Sequence, residues 1–137
     1  MGKSWHDCGM TTFTKTTLFT DTDGLAKFKD ESIPLNEGTP AAMLSELFAS
    51  GGYQLRHSPI GFRSTFHCTG SAQWVFILSG RMGIGLQDGS MREFGAGEHF
   101  YSADHLPAGA AFDAALHGHW SCQIGEVPLV TLFVRGT

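Results

Sequence analysis

Residues 73–95 read QWVFILSGRMGIGLQDGSMREFG. Three short runs, 73–78, 81–87 and 90–94, are separated by Ser79-Gly80 and Asp88-Gly89. Asp88-Gly89 lies between Met82, Ile84 and Leu86 on one side and Met91 and Phe94 on the other. An Asp-Gly pair so placed is the clearest hairpin signal in the chain, because tight hairpin turns need residues that tolerate positive φ.

The same pattern continues in both directions. Strands are predicted at 42–49, 52–58, 62–68, 99–103, 111–116, 119–124 and 129–135 as well. The breakers between them include Ser50-Gly51-Gly52, Pro59-Ile60-Gly61, Thr69-Gly70-Ser71, Gly95-Ala96-Gly97, Pro107-Ala108-Gly109 and Gly125-Glu126-Val127-Pro128. Segment 40–50 is open between strand and helix, since Met43, Leu44 and Leu47 also have helical spacing. Many short strands punctuated by 18 glycines mean an all-β sandwich or barrel. The expected organisation is an N-terminal arm over residues 1–40 and a β-barrel over 41–137. Within the arm, 11–39 is polar and is expected to wrap the barrel, carrying one short strand. Residues 1–9 (MGKSWHDCG) differ from the rest and read as a remnant or an upstream start, so His6 and Cys8 are left out of the site.

A chain of 137 residues is one ordinary domain that needs no disulfide or metal staple. Hydrophobic residues at 42% against 16% charged exclude a disordered chain. The net charge is −4, and the nine lysines and arginines are spread thinly. Nucleic acid and anionic membranes are therefore excluded as main partners, since both need clustered basic charge. No apolar run reaches membrane-spanning length. Residues 1–23 lack the apolar centre of a signal peptide, so a cytoplasmic protein is expected. The cysteines Cys8, Cys68 and Cys122 are odd in number and widely spaced, which argues against a disulfide framework or a cysteine-only zinc site.

Gly61 is followed after five residues by His67, Gln73 lies six positions beyond it, and after six more residues comes Gly80. Downstream stands Phe94-Gly95-Ala96-Gly97-Glu98-His99. This spacing resembles the first motif of the cupin superfamily: a glycine, then His-x-His, then a glutamate, then six residues and a glycine, with a Leu-Ser-Gly turn between strands. The resemblance covers roughly 52–135. It implies a single cupin-type double-stranded β-helix, or jelly-roll, barrel that tends to dimerise. It also implies a divalent metal on motif histidines, completed by a histidine from a later strand, for which His119 is the best candidate. Dioxygenase, isomerase, lyase and decarboxylase chemistry occur on that fold, which by itself selects none of them. The chain departs from the motif at two ligand positions: Thr69 stands at the second histidine and Gln73 at the glutamate. Residues 105–116 also sit where the family has a short turn.

Read from the residues, alternation along a strand places i and i+2 on one face. His117, His119, Ser121 and Gln123 then share a face, as do Arg63, Thr65, His67 and Thr69. If both faces turn inward, His67, His117 and His119 meet. Three neutral imidazoles can hold iron, zinc or manganese with open positions, and Gln73 adds a weak oxygen ligand or a hydrogen bond to metal-bound water. The alternative is half-buried histidines bonded to their neighbours, with Gly118 making a bend. His99 reads as structural and His105 as a loop residue at the rim.

Arg56 and Arg63 are candidate substrate-binding residues, together with Thr69. A guanidinium inside a barrel needs a carboxylate, from the ligand or from the protein. The competing reading is a surface ion pair with Glu46, Asp104 or Asp113. Cys68 and Cys122 fall opposite the histidines and read as small buried hydrophobes. Trp74, Phe76, Phe100, Tyr101, Phe112 and Trp120 read as core, some of them lining a pocket. The expected function is binding of a small organic molecule inside the barrel of a homodimer, either as a divalent-metal-dependent enzyme or as a non-catalytic ligand-binding or regulatory cupin without metal.

Overall fold

The computed structural model describes residues 11–136. The reading of 1–9 as a remnant or upstream start lies outside the described residues. Eleven strands form: β1 Thr12–Thr20, β2 Ala26–Pro34, β3 Glu37–Thr39, β4 Ala42–Leu44, β5 Tyr53–Ser58, β6 Gln73–Ser79, β7 Arg81–Gly85, β8 Met91–Gly95, β9 His99–Ser102, β10 Trp120–Ile124 and β11 Leu129–Arg135. Among the described residues there is no helix, hence none long and apolar enough to cross a membrane.

A six-stranded sheet runs in the order β2-β1-β9-β6-β11-β5, and a three-stranded sheet in the order β10-β7-β8; β3 and β4 pair separately. Pairing is antiparallel except between β1 and β9, which run parallel. The core lies between the two larger sheets. Leu18, Val75, Ile77, Phe100 and Leu129 come from the first, and Met82, Ile84 and Phe94 from the second. Each side chain of this kind, fully buried, contributes about 1.5–3 kcal/mol. Among the described residues, β2 and β5 are the edges of the larger sheet. The architecture is thus an all-β sandwich and not the closed barrel expected from the sequence.

Turn positions follow the glycines. Gly80 has φ 82°, and a Cβ there would meet the Pro128 carbonyl oxygen at 2.6 Å. The β6–β7 turn therefore packs tightly against the start of β11, which only glycine permits.

Segment 11–39 departs most from expectation. In place of one short strand it supplies β1 and β2, nine residues each and paired along their whole length, and the short β3. The threonines read as polar arm, yet they are β-branched and suit a pleated surface. Thr16 and Thr17 are buried, and their hydroxyls donate to Asp30 (2.9 Å) and Glu31 (2.6 Å) across the hairpin. Leu18 at 0% exposure anchors β1 in the core.

Three predicted strands shrink or vanish. In 42–49 only Ala42–Leu44 pairs; beyond it the chain is irregular, neither strand nor helix, with Leu47 exposed. Residues 111–116 are not a strand. There the Asp113 carboxylate accepts from Ala115 N, and the Asp113 carbonyl accepts from Leu116 and His117 N. These local bonds favour a turn over a ladder. Segment 62–68 makes two isolated bridges instead of a strand.

His99 is packed among Phe13, Trp74 and Phe76. Burial pulls its pKa below the usual 6.5; Lys15 pulls the same way, while Asp30 and Glu98 oppose. A folded-state pKa below the unfolded one favours the neutral ring, so this contribution is complete above 6.5 and is lost as pH falls from there through the lowered folded-state value. Urea midpoints at roughly pH 7.5 and 5.5 should drop less in His99→Phe than in the wild-type chain. Equal drops would remove His99 as the cause.

Candidate functional site

Between the sheets, beside the core, lies a cavity of about 410 Å³, within the range of small-molecule sites. Its apolar floor is Val75, Met82, Ile84, Phe100 and Phe133. Polar groups converge on it from Arg56, His67, Thr69, Gln73, Ser102, His119 and Ser121, with Gln54 and Arg135 at the β5–β11 end. No aspartate or glutamate of the described residues lines it.

The two histidines meet through a slip in register. Arg63 bridges to Cys122, but His67 bridges to His119. An unbroken antiparallel ladder from Arg63–Cys122 would set His67 opposite the peptide next to His119, so one extra residue has entered the segment. A one-residue slip moves a side chain to the other face. Arg63 therefore lies on the outer face, its guanidinium 4.2 Å from the Trp120 ring, while His67 borders the cavity and stays solvent-exposed. This corrects the simple alternation that put Arg63 and His67 side by side. His67 and His119 exchange both backbone hydrogen bonds (2.8 and 3.0 Å), and their ring centroids are 4.7 Å apart. The approach needs Gly118: its φ is 83°, and a Cβ would meet the His67 carbonyl oxygen at 2.5 Å.

Both rings are held in one tautomer. His119 Nδ1 donates to Asp104 Oδ2 at 2.8 Å, and His67 Nδ1 donates to the Thr65 carbonyl at 2.8 Å. The acceptor nitrogen of each is therefore Nε2. Asp104 has 0% exposure; it also accepts from the Thr20 hydroxyl of β1 (2.7 Å), and its carbonyl accepts from Thr69 N (2.7 Å). The Thr69 and Ser102 hydroxyls bond at 2.6 Å on the cavity wall.

Arg56 projects from β5, register partner of Thr131. Its guanidinium lies 5.2 Å from the Phe62 ring and 4.9 Å from the Phe133 ring. Burial pulls its pKa below the ordinary value; it stays charged nonetheless. Nε and Nη2 are buried without a hydrogen-bond partner. Among the described residues it makes no ion pair, so the surface pairs considered with Glu46, Asp104 or Asp113 do not form.

The structure thus brings together His67, His119, Gln73, Thr69 and Arg56 of the expected site. It places Arg63 on the outer face. His117 is buried, but it lines a different depression with Thr20, His105 and Leu116. Its Nδ1 accepts from Asp113 N at 3.0 Å. His99 and His105 lie off the cavity. Cys68 lines the cavity edge rather than the opposite face, and burial with the nearby Asp104 pushes its thiol pKa up, which disfavours the thiolate. Sequence reasoning missed Asp104 as the partner of His119; only its place immediately ahead of 105–116, the segment the motif does not predict, could have drawn attention to it.

A divalent ion would find two imidazoles and the neutral amide of Gln73. Among the described residues no three His, Cys, Asp or Glu side chains gather closely enough to hold one. This set lacks the third strong ligand of catalytic metal sites, so the residues present do not fit a tightly held dication. No protein-family model matches the chain, and no curated protein matches it significantly.

Gly118→Ala should cost on the order of 2–3 kcal/mol in urea unfolding through strain and clash, and should shift the imidazole NMR signals of both His67 and His119. Gly89→Ala has a similar φ of 86° but open space around it; it should cost less and leave those signals unchanged. Equal effects from the two would mean that Gly118 does not set the His67–His119 contact.

Proposed function

We propose that the chain is a cupin-type jelly roll that binds a small organic molecule in the cavity between its sheets. One observation carries this reading: convergent hydrogen-bonding groups stand over an apolar floor in a cavity of about 410 Å³, the usual composition of a ligand site. The cupin assignment is supported by the three motif positions His67, Thr69 and Gln73, which line the same cavity as His119 from a later part of the chain. The donor set favours a ligand-binding or regulatory protein over a metal enzyme. An enzyme using iron, zinc or manganese is the second reading, favoured by the matching Nε2 acceptors of His67 and His119.

Ligand-observed NMR with a set of small organic fragments tests the binding function. Fragments should bind the wild-type chain and be lost in Gln73→Trp, which fills the cavity, with circular dichroism confirming that the variant folds. No binding to the wild-type chain, or binding indifferent to Gln73→Trp, would reject the cavity as the site. Elemental analysis after growth with iron, zinc and manganese should find no stoichiometric metal. A metal retained by the wild-type chain and lost in His67→Ala would establish the second reading.

We also propose that copies pair as a two-fold dimer. β5 is a free edge, and its outward Tyr53 and Leu55 are 73% and 65% exposed; exposed apolar edges are commonly covered. Sedimentation at micromolar concentration should show a dimer that Leu55→Lys weakens. A stable monomer would reject it.

A further inference from the structure

We propose that the ligand of this cavity carries a carboxylate and that Arg56 holds it. The inference rests on the cavity being a binding site and names the class of molecule it takes. Nε and Nη2 form one edge of the guanidinium, with two parallel donors at the spacing of carboxylate oxygens. On Arg56 both of these atoms are buried and both lack an acceptor. Buried donors are almost always satisfied, and an unsatisfied pair on a charged group calls for a missing partner. The Phe62 and Phe133 rings beside the guanidinium hold its orientation but offer no oxygen.

The surroundings select an anion. Arg56 and Arg135 line the cavity and no described acidic side chain does, in a chain of net charge −4. The described ion pairs use Lys27, Arg81, Arg92 and His119; Asp104, which bonds the cavity-lining His119, is committed to that ring and to Thr20. A cationic concavity with low-dielectric walls concentrates small anions. Inorganic phosphate would satisfy the same donors. The floor of Val75, Ile84, Phe100 and Phe133 is wasted on phosphate and suits the hydrocarbon body of an organic acid.

The test uses calorimetric titration of the full chain with benzoate, hexanoate, their neutral amides benzamide and hexanamide, and inorganic phosphate. At least one acid should bind at least tenfold more tightly than its amide, phosphate should bind more weakly than that acid, and Arg56→Met should erase the preference. The ligand-free Arg56→Met chain should also melt at a higher temperature than wild type, because an apolar side chain replaces a buried charge with no acceptor. Acid and amide binding equally would overturn the carboxylate assignment and leave the cavity a binding site. No binding of any probe would count against both readings. Tightest binding of phosphate would make this an inorganic-anion site instead. A lower melting temperature for Arg56→Met, or an acid preference that survives it, would show that the guanidinium is a structural prop.

Discussion

The buried carboxylate of Asp104 ties three parts of the chain that are distant in sequence. Its two oxygens take the Thr20 hydroxyl of β1 and the Nδ1 proton of His119, and its carbonyl takes the amide of Thr69. A carboxylate with 0% exposure is tolerable only when its lone pairs are used in this way. The N-terminal hairpin, the loop ahead of β6 and the entry to β10 are thereby fixed against one another. The cavity wall inherits its rigidity from that junction.

Around the junction, apolar and polar demands are separated along the sandwich. Where Phe94, Phe100, Ile77 and Ile84 fill the space between the sheets, the interior is closed. Toward the other end, Ser102, Ser121, Thr69 and Gln73 replace bulky side chains, and the space stays open. The sandwich is therefore core at one end and vessel at the other. The switch comes within single strands: Phe100 to Ser102 on β9, and Val75 to Gln73 on β6.

Most strands from Tyr53 onward were legible because their glycine and proline breakers are local signals; 62–68 and 111–116 carry similar signals and are not strands. His67 and His119 were read onto one cavity, and both line it, His119 buried and His67 exposed at its edge. β1 and β2 were not legible: Thr-rich composition reads as polar, and its burial depends on Asp30 and Glu31 supplying acceptors from the neighbouring strand. Arg63 was misplaced because a one-residue slip leaves no mark in composition or periodicity. His117 was misplaced because Gly118, recognised as a possible bend, rotates the chain between two residues that alternation would pair. The orphaned edge of Arg56 could be raised as a possibility from the sequence, but whether a protein carboxylate reaches it is a fact of three-dimensional packing.

Arg56 sits on β5, which has a ladder partner on one side only, β11. An edge strand opens at less free energy than a central one, since fewer bonds and less apolar area are given up. In a single copy, one wall of the cavity is therefore the least laddered part of the larger sheet. A second copy pairing along β5 would give that wall a neighbour on both sides, so the stiffness of the cavity would depend on whether copies associate.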